Sequence, residues 1–145
     1  MSPSMLNVGL DPALVDDAPS SRAAFPEIDA EAVRAGMAAG RARLQELGLS
    51  VDVCLLDYGR TAEAVFRAAL TAKDYDIVLI GAGVRLDPEL TPLLEVLVNT
   101  THELAPGAKL CFNVSPTTAV EAVQRWWPEH KPLVQALHST QETTR

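Results

Sequence analysis

The sequence predicts an α/β fold of three layers, in which a four-stranded parallel sheet of order 2-1-3-4 lies between helices. Three observations carry that prediction. Short apolar runs and helical stripes alternate four times, the pattern of repeated βα units. The run Ile77-Val78-Leu79-Ile80 is apolar without interruption, as expected of a strand buried on both faces that needs a helix on each side. The second apolar run, Val51 to Leu56, is interrupted by Asp52, which suits an edge strand. Right-handed crossovers with the third strand interior and the second at the edge are satisfied by the order 2-1-3-4.

Bulk properties narrow the classes of function. At 145 residues and 48% hydrophobic content the chain can bury one sizeable core, so the reading is a single domain over 1–128 and a polar tail over 129–145. A net charge of −7 repels a phosphate backbone and argues against nucleic acid as a partner. Met1-Ser2-Pro3-Ser4-Met5 shows no basic segment leading into an apolar run, and no apolar stretch reaches bilayer length. The expectation is a soluble, cytoplasmic protein with no membrane partner. Cys54 and Cys111 fall inside apolar runs and read as buried thiols rather than a disulfide or a nucleophile.

The first strand spans about Met5 to Leu10, and a long Pro- and Asp-rich stretch from Asp11 to Pro26 follows. Helix one is expected from Asp29, with Asp29 as cap and Ile28 and Val33 as a hydrophobic staple. Its inward stripe is Val33, Met37, Gly40, Leu44 and Leu47, and Gly48 ends it. Gly36 and Gly40 weaken the helix, so they are read as permitting close approach to a neighbour. Helix two, from Thr61, presents Ala62, Val65, Phe66, Ala69 and Leu70 on one face. After the third strand, Thr91 is the expected cap of helix three and Pro92 its first residue. That helix buries Leu93, Leu94, Leu97, Val98 and Leu104 and stops at Ala105-Pro106-Gly107.

The fourth strand is read from Lys109 to Val114, and Ser115-Pro116 should open the last helix, whose stripe is Val120, Val123 and Trp127. Leu133, Val134 and Leu137 allow one helical turn in an otherwise frayed tail. Helices two and three should share one face of the sheet, and the other two helices the opposite face.

In this order the chain changes direction between strands one and three, and their carboxyl ends open a crevice of the kind that binds ligands in open α/β sheets. Gly81-Ala82-Gly83-Val84-Arg85 ends the third strand there. Two glycines can present backbone amides to an anion, and the Arg85 guanidinium can grip a phosphate or carboxylate with paired hydrogen bonds. A dinucleotide fingerprint would need a third glycine where Leu86 stands. Asp11 ends the first strand on this rim and is the best acid/base candidate. The segment Asp16 to Phe25 is read as a lid. Asn113 and Ser115 lie on the same rim one strand over. Asp57-Tyr58-Gly59-Arg60 is read as a solvated turn. His102, His130 and His138 have no ligand partners at metal spacing, so no metal site is expected. His102 is read as half-buried in the packing of helix three. No Gly-x-Ser-x-Gly elbow and no Gly-Lys-Ser/Thr phosphate loop is present.

Ala62-Glu63-Ala64-Val65 leading through Tyr75-Asp76-Ile77-Val78-Leu79-Ile80 resembles the flavodoxin-like, Rossmann-like group of folds. The named subfamilies differ at their diagnostic residues. Flavodoxins carry a Ser/Thr-rich flavin phosphate loop where this chain has Asp11-Pro12-Ala13-Leu14-Val15. Response-regulator receivers carry a phosphoacceptor Asp where Gly81 stands, and the Asp-x-His-x-x-Gly pattern of cobalamin-binding domains is absent. Gly81-Ala82-Gly83-Val84-Arg85 together with Cys111-Phe112-Asn113-Val114-Ser115-Pro116 is similar to small flavodoxin-like proteins of bacteria and fungi with no assigned activity. The resemblance covers most of residues 5–127 and implies the fold alone.

The resulting expectation is a domain that binds a small anionic metabolite, bearing phosphate or carboxylate, at Asp11, Gly81, Gly83, Arg85, Asn113 and Ser115. The alternative is a non-catalytic module that self-associates through its sheet edge and helix faces. A four-stranded sheet leaves edges that a second copy could cover, so a homodimer is expected, with adjacent Trp126 and Trp127 either at its interface or capping the core.

Overall fold

The computed structural model describes residues 2–17, 30–130 and 132–134, the side chains of 15–17 excepted. Four strands, β1 (Ser4–Leu10), β2 (Ser50–Leu56), β3 (Ile77–Ile80) and β4 (Lys109–Phe112), form one sheet in the order β2-β1-β3-β4. Every pairing is parallel, and β1 is held on both sides, with Val8 opposite Cys54 on one flank and Ile80 on the other. Four helices connect and cover the strands: α1 (Ala30–Glu46), α2 (Ala62–Ala72), α3 (Thr91–Leu104) and α4 (Ala119–Gln124). This is the three-layer, flavodoxin-like α/β architecture with the strand order read from the sequence.

Side chains alternate across each strand, so the sheet feeds two cores. Leu6, Val8, Leu56, Val78 and Ile80 pack with Phe66 and Leu70 of α2 and with Leu93 and Leu97 of α3. On the other face Met5, Val51, Ile77, Leu79 and Cys111 meet Leu44 of α1 and Ala119, Ala122 and Val123 of α4. The helices therefore pair across the faces as expected. Trp126 and Trp127 are half-buried, and both pack against this second core.

Element boundaries differ from the sequence reading where side chains cap locally. Leu47 is 49% exposed instead of completing the α1 stripe, because α1 stops at Glu46 and Gly48, at φ 96°, turns the chain away. Val65 of α2 also faces outward. Thr91 is not a cap. A 3-10 turn, Pro88–Leu90, runs directly into α3, and its cap is Asp87, whose carboxylate accepts from the Glu89 amide at 3.0 Å. Thr91 lies inside the helix and its hydroxyl donates to the Pro88 carbonyl at 2.9 Å. His102 is exposed on α3 rather than half-buried. The last helix starts at Ala119, later than Ser115-Pro116 suggested, because Thr118 Oγ1 accepts from the amides of Val114 and Ser115 at 3.0 and 3.1 Å and closes a turn first.

The expected Asp29 cap and Ile28 staple lie outside the described residues, as do most of the expected lid, residues 18–25, and Leu137. Within the described part of that stretch, Pro12–Asp17 forms a 3-10 helix. No helix among the described residues is long and apolar enough to cross a membrane.

Candidate functional site

β1 and β3 are adjacent and parallel, so the turns that follow them sit at the same edge of the sheet. The turn after β3 is a single helical turn, Ala82–Arg85, not an open glycine loop. Its first amides are engaged in building the rim: the Gly81 amide donates to the Val8 carbonyl at 2.8 Å, and the Ala82 amide donates to Asn113 Oδ1 at 2.7 Å. That second bond explains why β4 ends at Phe112. Asn113, 7% exposed, leaves the ladder to tie two neighbouring strand ends together.

Below this rim, between α1 and the ends of β1 and β3, lies a cavity of about 100 Å³. Asn7, Val8, Gly9 and Leu10 of β1 line it, with Val33, Gly36, Met37 and Gly40 of α1. Gly81, Ala82, Gly83, Asn113, Pro116, Ala119 and Tyr58 complete the wall. The size is comparable to the ~150 Å³ that admits a single benzene ring in an apolar interior. No charged side chain is among these lining residues.

Small residues create the space. A Cβ on Gly36 would stand 2.6 Å from the Pro116 Cβ, so glycine is required for α1 to approach the turn before α4. The close-approach role read for Gly36 is thus met by a specific partner. At Gly40 and Gly9 an added Cβ would find only ordinary contacts, 3.6 Å to Ala119 Cβ and 3.9 Å to Met37 Cε.

Of the residues singled out from sequence, Gly81, Gly83 and Asn113 come together in the cavity wall, whereas Asp11, Arg85 and Ser115 do not. The Arg85 guanidinium donates to the Asn113 carbonyl at 3.0 Å and sits 5.9 Å from the centre of the Phe112 ring. Its Nε is buried with no partner among the described residues. Arg125 donates to the Phe112 carbonyl at 2.7 Å, so two arginines brace the end of β4. The Asp11 carboxylate accepts from the Ala13 amide at 3.0 Å and starts the 3-10 helix. Asp11 instead borders a separate groove between α1 and β2, lined also by Arg34, Arg41, Val53 and Leu55. The Ser115 hydroxyl lies 3.1 Å from that of Thr117, within the turn ahead of α4.

Two polar residues in the wall were not singled out. Asn7 sits mid-strand in β1, is 7% exposed, and its carboxamide makes no hydrogen bond among the described residues. A lone Asn between Leu6 and Val8 in a central strand, where apolar residues are expected on both faces, was the available signal. Tyr58 corrects the reading of its turn as solvated: its hydroxyl is buried, again without a partner among the described residues. The turn is rigidly built. Asp57 accepts from the Gly59 amide at 3.0 Å and from the Thr61 amide and hydroxyl at 2.9 and 2.8 Å, and Gly59 takes φ 127°. The Thr61 hydroxyl, and then the Gly59 amide, hold the Asp57 carboxyl below the usual carboxylate range.

Other chemistry is weak in the described region. Both cysteines are buried and free; burial pushes the Cys111 thiol up to about 12 and raises that of Cys54, so neither is a thiolate near neutrality. No group of three His, Cys, Asp or Glu side chains among the described residues could hold a metal ion.

The fold and cavity define a flavodoxin-like α/β protein with its pocket at the strand-order reversal. No protein-family model matches the chain, and no curated protein is significantly similar to it.

Proposed function

We propose that the protein binds a small metabolite in the cavity at the carboxyl ends of β1 and β3. The observation that carries this reading is the carboxamide of Asn7, a residue 7% exposed, which borders the cavity without a hydrogen-bond partner among the described residues at the point where open α/β sheets receive ligands. Gly81, Gly83 and Asn113 supply the upper wall. Arg85 supports the site through the Asn113 carbonyl instead of touching the ligand.

The test is a fragment panel followed by amide NMR. Binding should move the amide resonances of Gly9, Gly36, Gly81 and Gly83, and Gly9→Leu, which fills the cavity, should abolish the response. Shifts confined to residues outside the cavity would overturn the reading.

A second observation favours self-association. β2 is an edge strand, and its Val53 and Leu55 are 39% and 42% exposed. An edge strand with no further strand beside it among the described residues and exposed apolar side chains is suited to pairing with a second copy into a homodimer. Light scattering on Val53→Lys should then report a monomer where wild type is a dimer, and a monomeric wild type would dismiss the idea.

A further inference from the structure

We infer that the ligand group entering this cavity is an uncharged amide-type edge, one N–H beside one C=O, as in a primary carboxamide or a lactam, and not a carboxylate or phosphate. The inference rests on the reading of the cavity as a ligand site and adds its chemical selectivity. Two polar side chains present hydrogen-bonding groups to the space, and both are neutral: the carboxamides of Asn7 and Asn113.

Each retains unused hydrogen-bonding capacity. Asn7, 7% exposed, makes no side-chain hydrogen bond among the described residues. Asn113 uses its Oδ1 on the Ala82 amide and its carbonyl on Arg85, which leaves the Nδ2 donors. A carboxamide offers one acceptor and paired donors in a plane, so Asn7 can meet another amide edge with two parallel hydrogen bonds. A carboxylate offers acceptors only and would leave the Asn7 oxygen facing it unpaired.

Electrostatics points the same way. An anion desolvated in a largely apolar cavity needs a cation or several aligned donors. The arginine of the rim turn, Arg85, is directed to the Asn113 carbonyl and lies against Phe112. The Gly81 and Ala82 amides are engaged by Val8 and Asn113, so the Gly-x-Gly turn offers little of the anion cradle that its sequence suggests.

Benzamide and benzoate share a shape and differ in the group that decides the question. Titrated into the full chain and followed by amide NMR at pH 7, benzamide should bind at least tenfold more tightly than benzoate and move the Gly9, Gly81 and Gly83 amides. Asn7→Leu should remove the preference for benzamide, and because Asn7 has no partner to orphan, that variant should remain folded. Benzoate binding as well as or better than benzamide at the same amides would overturn the inference while leaving the ligand site standing. No response from either probe at millimolar concentration would overturn the site reading itself, and the inference with it.

Discussion

The two faces of the sheet are built from different stock. Under α2 and α3, large side chains interdigitate: Phe66 and Leu97 are fully buried against Leu6, Val8, Val78 and Ile80. Under α1 and α4, Met5, Leu44, Ile77 and Leu79 fill one part of the face, but toward the carboxyl ends of β1 and β3 the lining includes Gly9, Gly36, Gly40 and Ala119. Protein interiors are normally packed to crystal-like density, so one face is filled along its length and the other gives up packing at one end to keep a space. The cavity is thus written in small residues and not in any catalytic signature.

Four measurements would break or sharpen that contrast. Phe66→Ala, on the filled face, should cost about 3–5 kcal/mol in denaturant unfolding because a buried aromatic leaves a void; a loss as small as that from Met37→Ala on the cavity face would end the distinction. Gly36→Ala comes next. Its Cβ would collide with Pro116, and forcing α1 outward should cost ~1–3 kcal/mol, whereas a neutral outcome would mean that α1 sits loosely. Gly9→Ala, with nothing nearer than Met37 Cε at 3.9 Å, should stay within ~1 kcal/mol of wild type and reduce the cavity without unfolding the protein.

The smallest effect concerns pH. Asp57 has its folded pKa depressed below the ordinary 3.8 by the Thr61 hydroxyl and the Gly59 amide. A depressed carboxylate contributes stability that is present above the unfolded value and is lost as pH falls through the folded one. The melting-temperature gap between wild type and Asp57→Ala should therefore be constant near neutrality and shrink below about pH 4. A gap that persists in strong acid would show that the charged form plays no part in fixing the Tyr58 turn.

Much of the architecture was legible in the chain. Ile77-Val78-Leu79-Ile80 could be placed inside the sheet because only a strand covered on both sides tolerates four consecutive aliphatic residues, and Asp52 marked the edge because its carboxylate needs access to solvent and to Lys73, 3.1 Å away. The site was legible in part. Gly81, Gly83 and Asn113 were found because they follow strand ends, which topology brings to one rim. Arg85 was visible as a charge, but its direction depends on the Asn113 carbonyl, which is 28 residues away in the chain and invisible to local pattern. Asn7 and Tyr58 gained significance only when neighbouring elements left their polar atoms without partners.

The sequence alone determined the βα alternation, the strand order and the rim, since hydrophobic periodicity and crossover handedness are properties of short segments and of chain chirality. Tertiary structure alone decided which rim groups face the cavity and which brace it. That choice depends on contacts between residues distant in the chain: Gly36 on Pro116, Ala82 on Asn113, and Arg85 across to the end of β4.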